Sequence, residues 1–158
     1  MKIHVDADAC PVKAEVARVA ARYGLRVDFV ANSWMAIPEG ELLELVVVRR
    51  GNLDAADDRI AERVAEGDIV VSGDIPLASR CLARGARVLD PKGRVFTPDS
   101  IGDALADREI AAHLREIGGL TRGPAPFEKR DRSRFLERLD ALIQASRAFD
   151  ARRRPSPP

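Results

Sequence analysis

The sequence predicts an α/β domain: a parallel sheet flanked by helices. Two observations carry that reading. Short apolar runs alternate with helical patterns through the first 90 residues, the rhythm of strand–helix–strand units. Val46-Val47-Val48 and Ile69-Val70-Val71 lack apolar/polar alternation, as strands do when helices cover both faces of a sheet.

Strands are expected at residues 3–6, 27–31, 45–48, 69–72 and 87–89, and helices at 11–23, 55–66 and 76–84. Each helix is followed by a glycine, Gly24, Gly67 or Gly85, the residue that most readily ends a helix. Asp90-Pro91-Lys92-Gly93 reads as a tight turn. Beyond it the pattern is helical. Thr97-Pro98 resembles an N-cap with proline at the first helical position, opening a helix to about residue 117 with a break near Asp107. Residues 118–126 form a glycine- and proline-rich loop. A last helix is expected over 131–149, with Phe135, Leu136, Leu139, Leu142 and Ile143 on one face. It completes a single domain of residues 1–150, and 151–158 should be a disordered tail.

At 158 residues, 46% hydrophobic and 32% charged, the composition excludes a disordered or fibrous chain. No apolar run approaches the roughly 20 residues needed to span a bilayer, so no membrane association is expected. Residues 1–6 lead straight into a strand without a signal-peptide pattern, which predicts a cytoplasmic protein. Cys10 and Cys81 have no metal-ligand spacing and read as free thiols. The net charge of +1 hides an asymmetry. Residues 121–158 hold ten Lys/Arg against five Asp/Glu, and residues 1–120 hold sixteen against twenty. An acidic body with a basic end suits a protein that holds a cation and also meets an anion.

Ligands of open α/β sheets bind outside the carboxyl ends of the strands. Four segments there carry acids or small polar groups: Asp6 and Asp8, Asn32-Ser33, Asp57-Asp58, and Asp74. An Asp before a helix is usually its cap. Pro11 and Pro76 fit best at N1, however, which makes Cys10 and Ile75 the caps and leaves Asp8 and Asp74 outside the helices. At 100° per residue Asp57 falls at the edge of the stripe formed by Ala56, Ile60 and Val64, whereas Asp58 points to solvent. The alternative for Asp57 is a capping box with Asp54. Several carboxylates without His or Cys form a hard-oxygen site suited to Mg²⁺ or Mn²⁺. Asp6, Asp8, Asp57 and Asp74 are therefore the candidate catalytic and metal-binding residues.

Several segments resemble the YaiI/YqxD family, bacterial proteins with a PIN-like nuclease fold and no assigned reaction. They are Asp6-Ala7-Asp8-Ala9-Cys10-Pro11-Val12-Lys13, Phe29-Val30-Ala31-Asn32-Ser33, Asp54-Ala55-Ala56-Asp57-Asp58 and Gly73-Asp74-Ile75-Pro76-Leu77-Ala78. Gly123-Pro124-Ala125-Pro126-Phe127 and Asp131-Arg132-Ser133-Arg134-Phe135-Leu136 continue the match, which covers residues 3 to about 143. The resemblance implies a PIN-like sheet of order 3-2-1-4-5. Asp6, Asp8 and Asp74 would then flank one crevice.

The leading functional expectation is a divalent-metal-dependent nuclease acting on RNA or single-stranded nucleic acid. Lys13, Arg80, Lys129, Arg130, Arg132 and Arg134 are candidates for its phosphates. Asn32, Ser33 and Trp34 lie at the crevice edge, where Trp34 could stack on a base. Two rivals remain. Asp6-Ala7-Asp8 with Gly73-Asp74 is similar to the acids of haloacid-dehalogenase phosphatases, although Cys10 and the lack of room for a cap domain argue against them. A metal-dependent RNA-binding or regulatory module without turnover is the other. Cys10 as a nucleophile lacks a local histidine partner.

Overall fold

The structure is a computed structural model that describes residues 1–48, 54–119, 125–155 and 157. The strands are β1 (Ile3–Asp6), β2 (Val27–Ala31), β3 (Leu43–Val47), β4 (Ile69–Val71), β5 (Arg87–Leu89) and β6 (Val95–Phe96). The helices are α1 (Lys13–Tyr23), α2 (Ala55–Arg63), α3 (Ile75–Ala83), α4 (Ile101–Glu116) and α5 (Lys129–Arg153). The sheet order is β3-β2-β1-β4-β5-β6. The first five strands run parallel, and β6 pairs antiparallel with β5. The α/β class is as the sequence predicts, and the order of the first five strands is the one the family resemblance implies. β6 is an addition, formed where the turn at Asp90 sends the chain back along β5.

Side-chain alternation along each strand divides the core between the two faces. Ile69 and Val71 join Ile3, Val5, Val27 and Phe29 on the face covered by α1 and α5. Val70 joins Val30 and Val88 on the other face, under Ile60, Leu77, Cys81 and Ala104 of α2, α3 and α4. β1 and β4 are thus buried on both sides. β3 is half-exposed, because it is an edge strand. Its valines lack alternation without being fully covered.

The final helix docks on the α/β body as its apolar stripe requires. Phe135, Leu139 and Ile143 are completely buried. Together they remove roughly 6 kcal/mol worth of apolar surface from water, before the entropy of ordering is counted. A capping box starts this helix: the Glu128 amide donates to Asp131 Oδ2 at 2.9 Å. α5 begins ahead of residue 131 and runs past the expected end at 149, through Arg153.

Other expectations change. α1 begins at Lys13 with Val12 as its N-cap, so Cys10 does not cap it and Pro11 lies ahead of it, and α2 ends at Arg63, short of Gly67. Thr97 does not cap α4. It forms a turn with Ser100, with the Thr97 amide donating to Ser100 Oγ at 2.9 Å and the Ser100 amide to Thr97 Oγ1 at 3.1 Å. The helix then runs unbroken through Asp107. Asp74 is the N-cap of α3, accepting from the Leu77 amide at 2.9 Å, and Ile75 is already helical. Pro76 therefore occupies the second helical position. Of the expected loop at 118–126, residues 120–124 lie outside the described residues, as do Gly123 and Pro124 of the family motif. Among the described residues, no helix is long and apolar enough to cross a membrane.

The turn that creates β6 depends on Gly93. Its φ is +87°, and an added Cβ would meet the Arg134 Cγ at 2.9 Å and the α5 backbone at 3.0 Å. Backbone strain and overlap with a helix act together there. Gly93→Ala should destabilise the fold by about 2 kcal/mol, measured by urea denaturation, whereas Gly24→Ala, strained but in open space, should cost less.

Candidate active site

The parallel order places β1 between β2 and β4, so the segments following these strands meet at one sheet edge. Asp6 ends β1 and is half-buried. Ser72, buried at the end of β4, donates its hydroxyl to Asp6 Oδ2 at 2.9 Å. The Asp74 amide donates to the same hydroxyl at 3.0 Å. One serine thus ties Asp6 to the loop that carries Asp74.

Asp57 arrives from the first turn of α2, on the side turned toward the sheet. Asp74 and Asp6 lie within its electrostatic reach. The N-cap of α2, Asp54, makes no side-chain capping bond. The capping-box alternative for Asp57 is therefore not what forms. Asp58, one residue on, pairs with Arg80 at 2.8 Å near the surface, as the helical angles require.

Asp8 is exposed and held by Asn32, whose amide and side-chain Nδ2 each donate to Oδ2 at 3.0 Å. Asn32 Oδ1 in turn accepts from the Ala56 amide at 3.3 Å. This asparagine joins the end of β2, the loop after β1 and the start of α2. Its place in the site is that of an organiser.

Crowding of like charges leaves an electrostatic mark. Burial pushes the Asp57 carboxyl up to about 7, helped by Asp74, Asp6 and Asp54. Burial also raises Asp6, against the lowering effect of the Ser72 hydroxyl and with help from Asp74 and Asp8. Carboxylates held together without a cation resist ionising together. Among the described residues no three His, Cys, Asp or Glu side chains are drawn together as a formed metal-ligand group. The acids are electrostatically coupled.

A cleft of about 560 Å³ opens beside the acids, lined by Asp6, Ser72, Asp74, Pro91, Lys92 and Phe127 among others. A hollow of about 500 Å³ beside Ala17, Leu25 and Leu43 contains none of the acids. Lys92 donates from Nζ to the Ala125 carbonyl at 2.6 Å, closing one side of the cleft with the C-terminal segment. Sequence reasoning missed Asp90, Lys92 and Phe127 as parts of this region. The available signal was faint: a turn next to a buried strand end.

The remaining predicted residues are scattered around it. Lys13 Nζ donates to the Cys10 carbonyl at 2.8 Å. Ser33 is exposed, and Trp34 is 75% exposed. Arg132 pairs with Glu15 at 2.5 Å and sits 5.1 Å over the Phe127 ring. Arg130 pairs with Glu128 at 2.7 Å, Lys129 and Arg134 are exposed, and the Arg134 stem lies along Gly93. Cys10 is buried, and burial raises its thiol pKa, which argues against a nucleophile.

A family model described as "Uncharacterized BCR, YaiI/YqxD family" matches residues 4–145. The chain belongs to this family. It is 53% identical to a UPF0178 protein of Paramagnetospirillum magneticum over 146 residues, covering 92% of this chain and 96% of the relative. Identity to a UPF0178 protein of Rhodospirillum centenum is 56% over 151 residues, covering 93% and 97%. A UPF0178 protein of Brucella ovis is 56% identical over 148 residues, covering 92% and 91%. No solved structure matches the chain significantly.

The raised Asp57 has a sign that can be checked. Its folded pKa of about 7 lies above the ordinary value of about 4, so folding favours the protonated form. That stability is full below about pH 4 and is lost as pH rises through about 7. Urea denaturation should therefore show the protein less stable at pH 8 than at pH 5, and Asp57→Asn should reduce the difference.

Proposed function

We propose that the acidic crevice is the active site of a divalent-metal-dependent nuclease acting on RNA or single-stranded nucleic acid. One observation carries the reading most directly. Asp6, Asp57 and Asp74 come from three separate segments at one sheet edge and lie within electrostatic reach of one another, and Ser72 bonds the Asp6 carboxylate and the Asp74 amide. Such an arrangement costs stability unless a cation offsets it. Other support comes from the hard-oxygen donor set, the position at the carboxyl edge of a parallel sheet, and the PIN-like fold that the resemblance to the YaiI/YqxD family implies.

The donor chemistry fits Mg²⁺ or Mn²⁺. Asp6 and Asp74 would hold the cation, with Asp8 reaching it from the loop after β1. Bound there, the cation supplies Lewis-acid stabilisation of a phosphodiester and lowers the pKa of a water. The protein's own groups do the rest. Ser72 fixes the Asp6 carboxylate, and Asn32 holds Asp8 in one orientation. Asp57, beside Asp74, would orient a water and take its proton. The basic start of α5, with Lys129, Arg130 and Arg134, supplies phosphate contacts that position a strand without reading its bases.

Asp6→Asn and Asp74→Asn should each weaken Mn²⁺ binding in calorimetric titration by at least tenfold and abolish cleavage of labelled RNA, while circular dichroism stays that of the parent. Unchanged metal affinity in both removes the site. Metal and RNA binding without cleavage would identify a regulatory module, and a trapped aspartyl-phosphate a phosphomonoesterase. Replacing Lys129 and Arg130 with Ala should flatten the slope of log RNA affinity against log salt by about 1.4, at about 0.7 per contact. An unchanged slope takes the start of α5 out of the interface.

A further inference from the structure

One aromatic side chain stands apart from the others. Tyr23, Phe96, Phe127 and Phe149 each carry an arginine guanidinium over the ring, at 4.9 to 5.4 Å. Trp34 is 75% exposed, and among the described residues no cation or ring contacts its indole. The indole therefore presents an open face. The backbone that carries it is anchored on both sides. Before it, the Asn32 amide and Nδ2 donate to Asp8, and Asn32 Oδ1 accepts from the Ala56 amide. After it, Met35 and Ile37 pack on the core beneath α1 and α5. A single exposed apolar side chain is ordinary on a protein surface. A fixed backbone sets where this one stands, which lowers the entropy cost of using it as a contact.

Its place in the fold says what it would contact. Trp34 is two residues from Asn32, so their Cα atoms are at most about 8 Å apart, and Asn32 is bonded to Asp8. The strand that leads to Trp34, β2, is the neighbour of β1, about 5 Å away. The indole thus stands at the lip of the acidic crevice, on its β2 side.

We propose that Trp34 is the platform on which one base of a single-stranded nucleic acid stacks while the strand's backbone crosses the carboxylates. The inference rests on the nuclease reading for the class of ligand, and it adds the contact that selects single strands. Inside a duplex both faces of a base are covered by its neighbours, so only an unstacked base can lie on the indole. Stacking is indifferent to sequence, because every base has a π-face. Carboxylates repel the phosphates of a strand, whereas a contact to the base carries no such penalty. Stacking also releases no condensed counterions, so it strengthens binding without adding to its salt dependence.

Trp34 is the only tryptophan of the chain, so tryptophan emission reports this one position. The test is titration of the full-length protein with a single-stranded RNA, with Ca²⁺ replacing Mn²⁺ so that no strand is cut. Affinity is read in parallel from a fluorescein-labelled copy of the same RNA. Emission should be quenched to a plateau as the RNA saturates. Trp34→Ala and Trp34→Leu should each weaken binding roughly tenfold and leave the slope of log affinity against log salt unchanged, whereas Trp34→Phe should keep most of the affinity. The same RNA annealed into a duplex should compete poorly. Emission unmoved at saturating RNA, Trp34→Leu binding as tightly as the parent, a duplex competing as well as the single strand, or a parent that binds no strand would each overturn the proposal. A dimer lost in Trp34→Ala at unchanged RNA affinity overturns it too, and gives the indole to self-association. Circular dichroism of the variants, unchanged for a side chain outside the core, confirms that they are folded. Cleavage with Mn²⁺, lost in Asp6→Asn, separates this idea from the nuclease reading. A parent that binds through Trp34 and cuts nothing keeps the platform and removes the nuclease. A parent that cuts RNA while Trp34→Leu matches its affinity does the reverse.

Discussion

Because β1 lies between β2 and β4 and all three run in the same direction, whatever follows each strand is delivered to one edge of the sheet. That pairing governs the rest of the molecule. It sets Asp6 beside Ser72, brings the loop carrying Asp74 against the end of β1, and places Asn32 over Asp8. Two separate cores hold the three strands in register from opposite faces. Their burial offsets the repulsion among carboxylates that the topology forces together. An isolated loop could not hold such a cluster, since its own charges would push it open.

Asp74 shows how one side chain serves both fold and site. As the N-cap of α3 it accepts from the Leu77 amide, and the helix N-terminus favours a negative charge there. Its charge also acts on Asp57 of α2 across the crevice. Capping and function are often treated as rival explanations of an acidic residue. Here one oxygen satisfies the helix, and the carboxyl group also faces another acid.

The sheet could be read from the sequence because its signals are local. Val70 and its neighbours form an uninterrupted apolar run, and Gly24 and Gly85 mark where helices stop. The order of strands was legible only through the resemblance, since pairing between distant segments leaves no mark in a short window. The orientation of Asp57 relative to Asp58 followed from helical geometry alone, and Asp58 does pair with Arg80 at the surface. Proline at position 76 misled the reading of Asp74, because proline is tolerated at the second helical position as well as the first. β6 and the cleft wall were not foreseen. They depend on Gly93 meeting the α5 backbone and on Phe127 being braced by Arg132, contacts between segments far apart in the chain.

Asp6 and Asp74 are proposed to present one cation-binding face at the carboxyl edge of the sheet. Crystals grown with Mn²⁺ and measured at the manganese absorption edge test it most directly. The expected result is an anomalous peak within coordination distance of carboxylate oxygens from both residues. Manganese bound only elsewhere, or an acidic crevice unchanged and free of metal at saturating Mn²⁺, would contradict it.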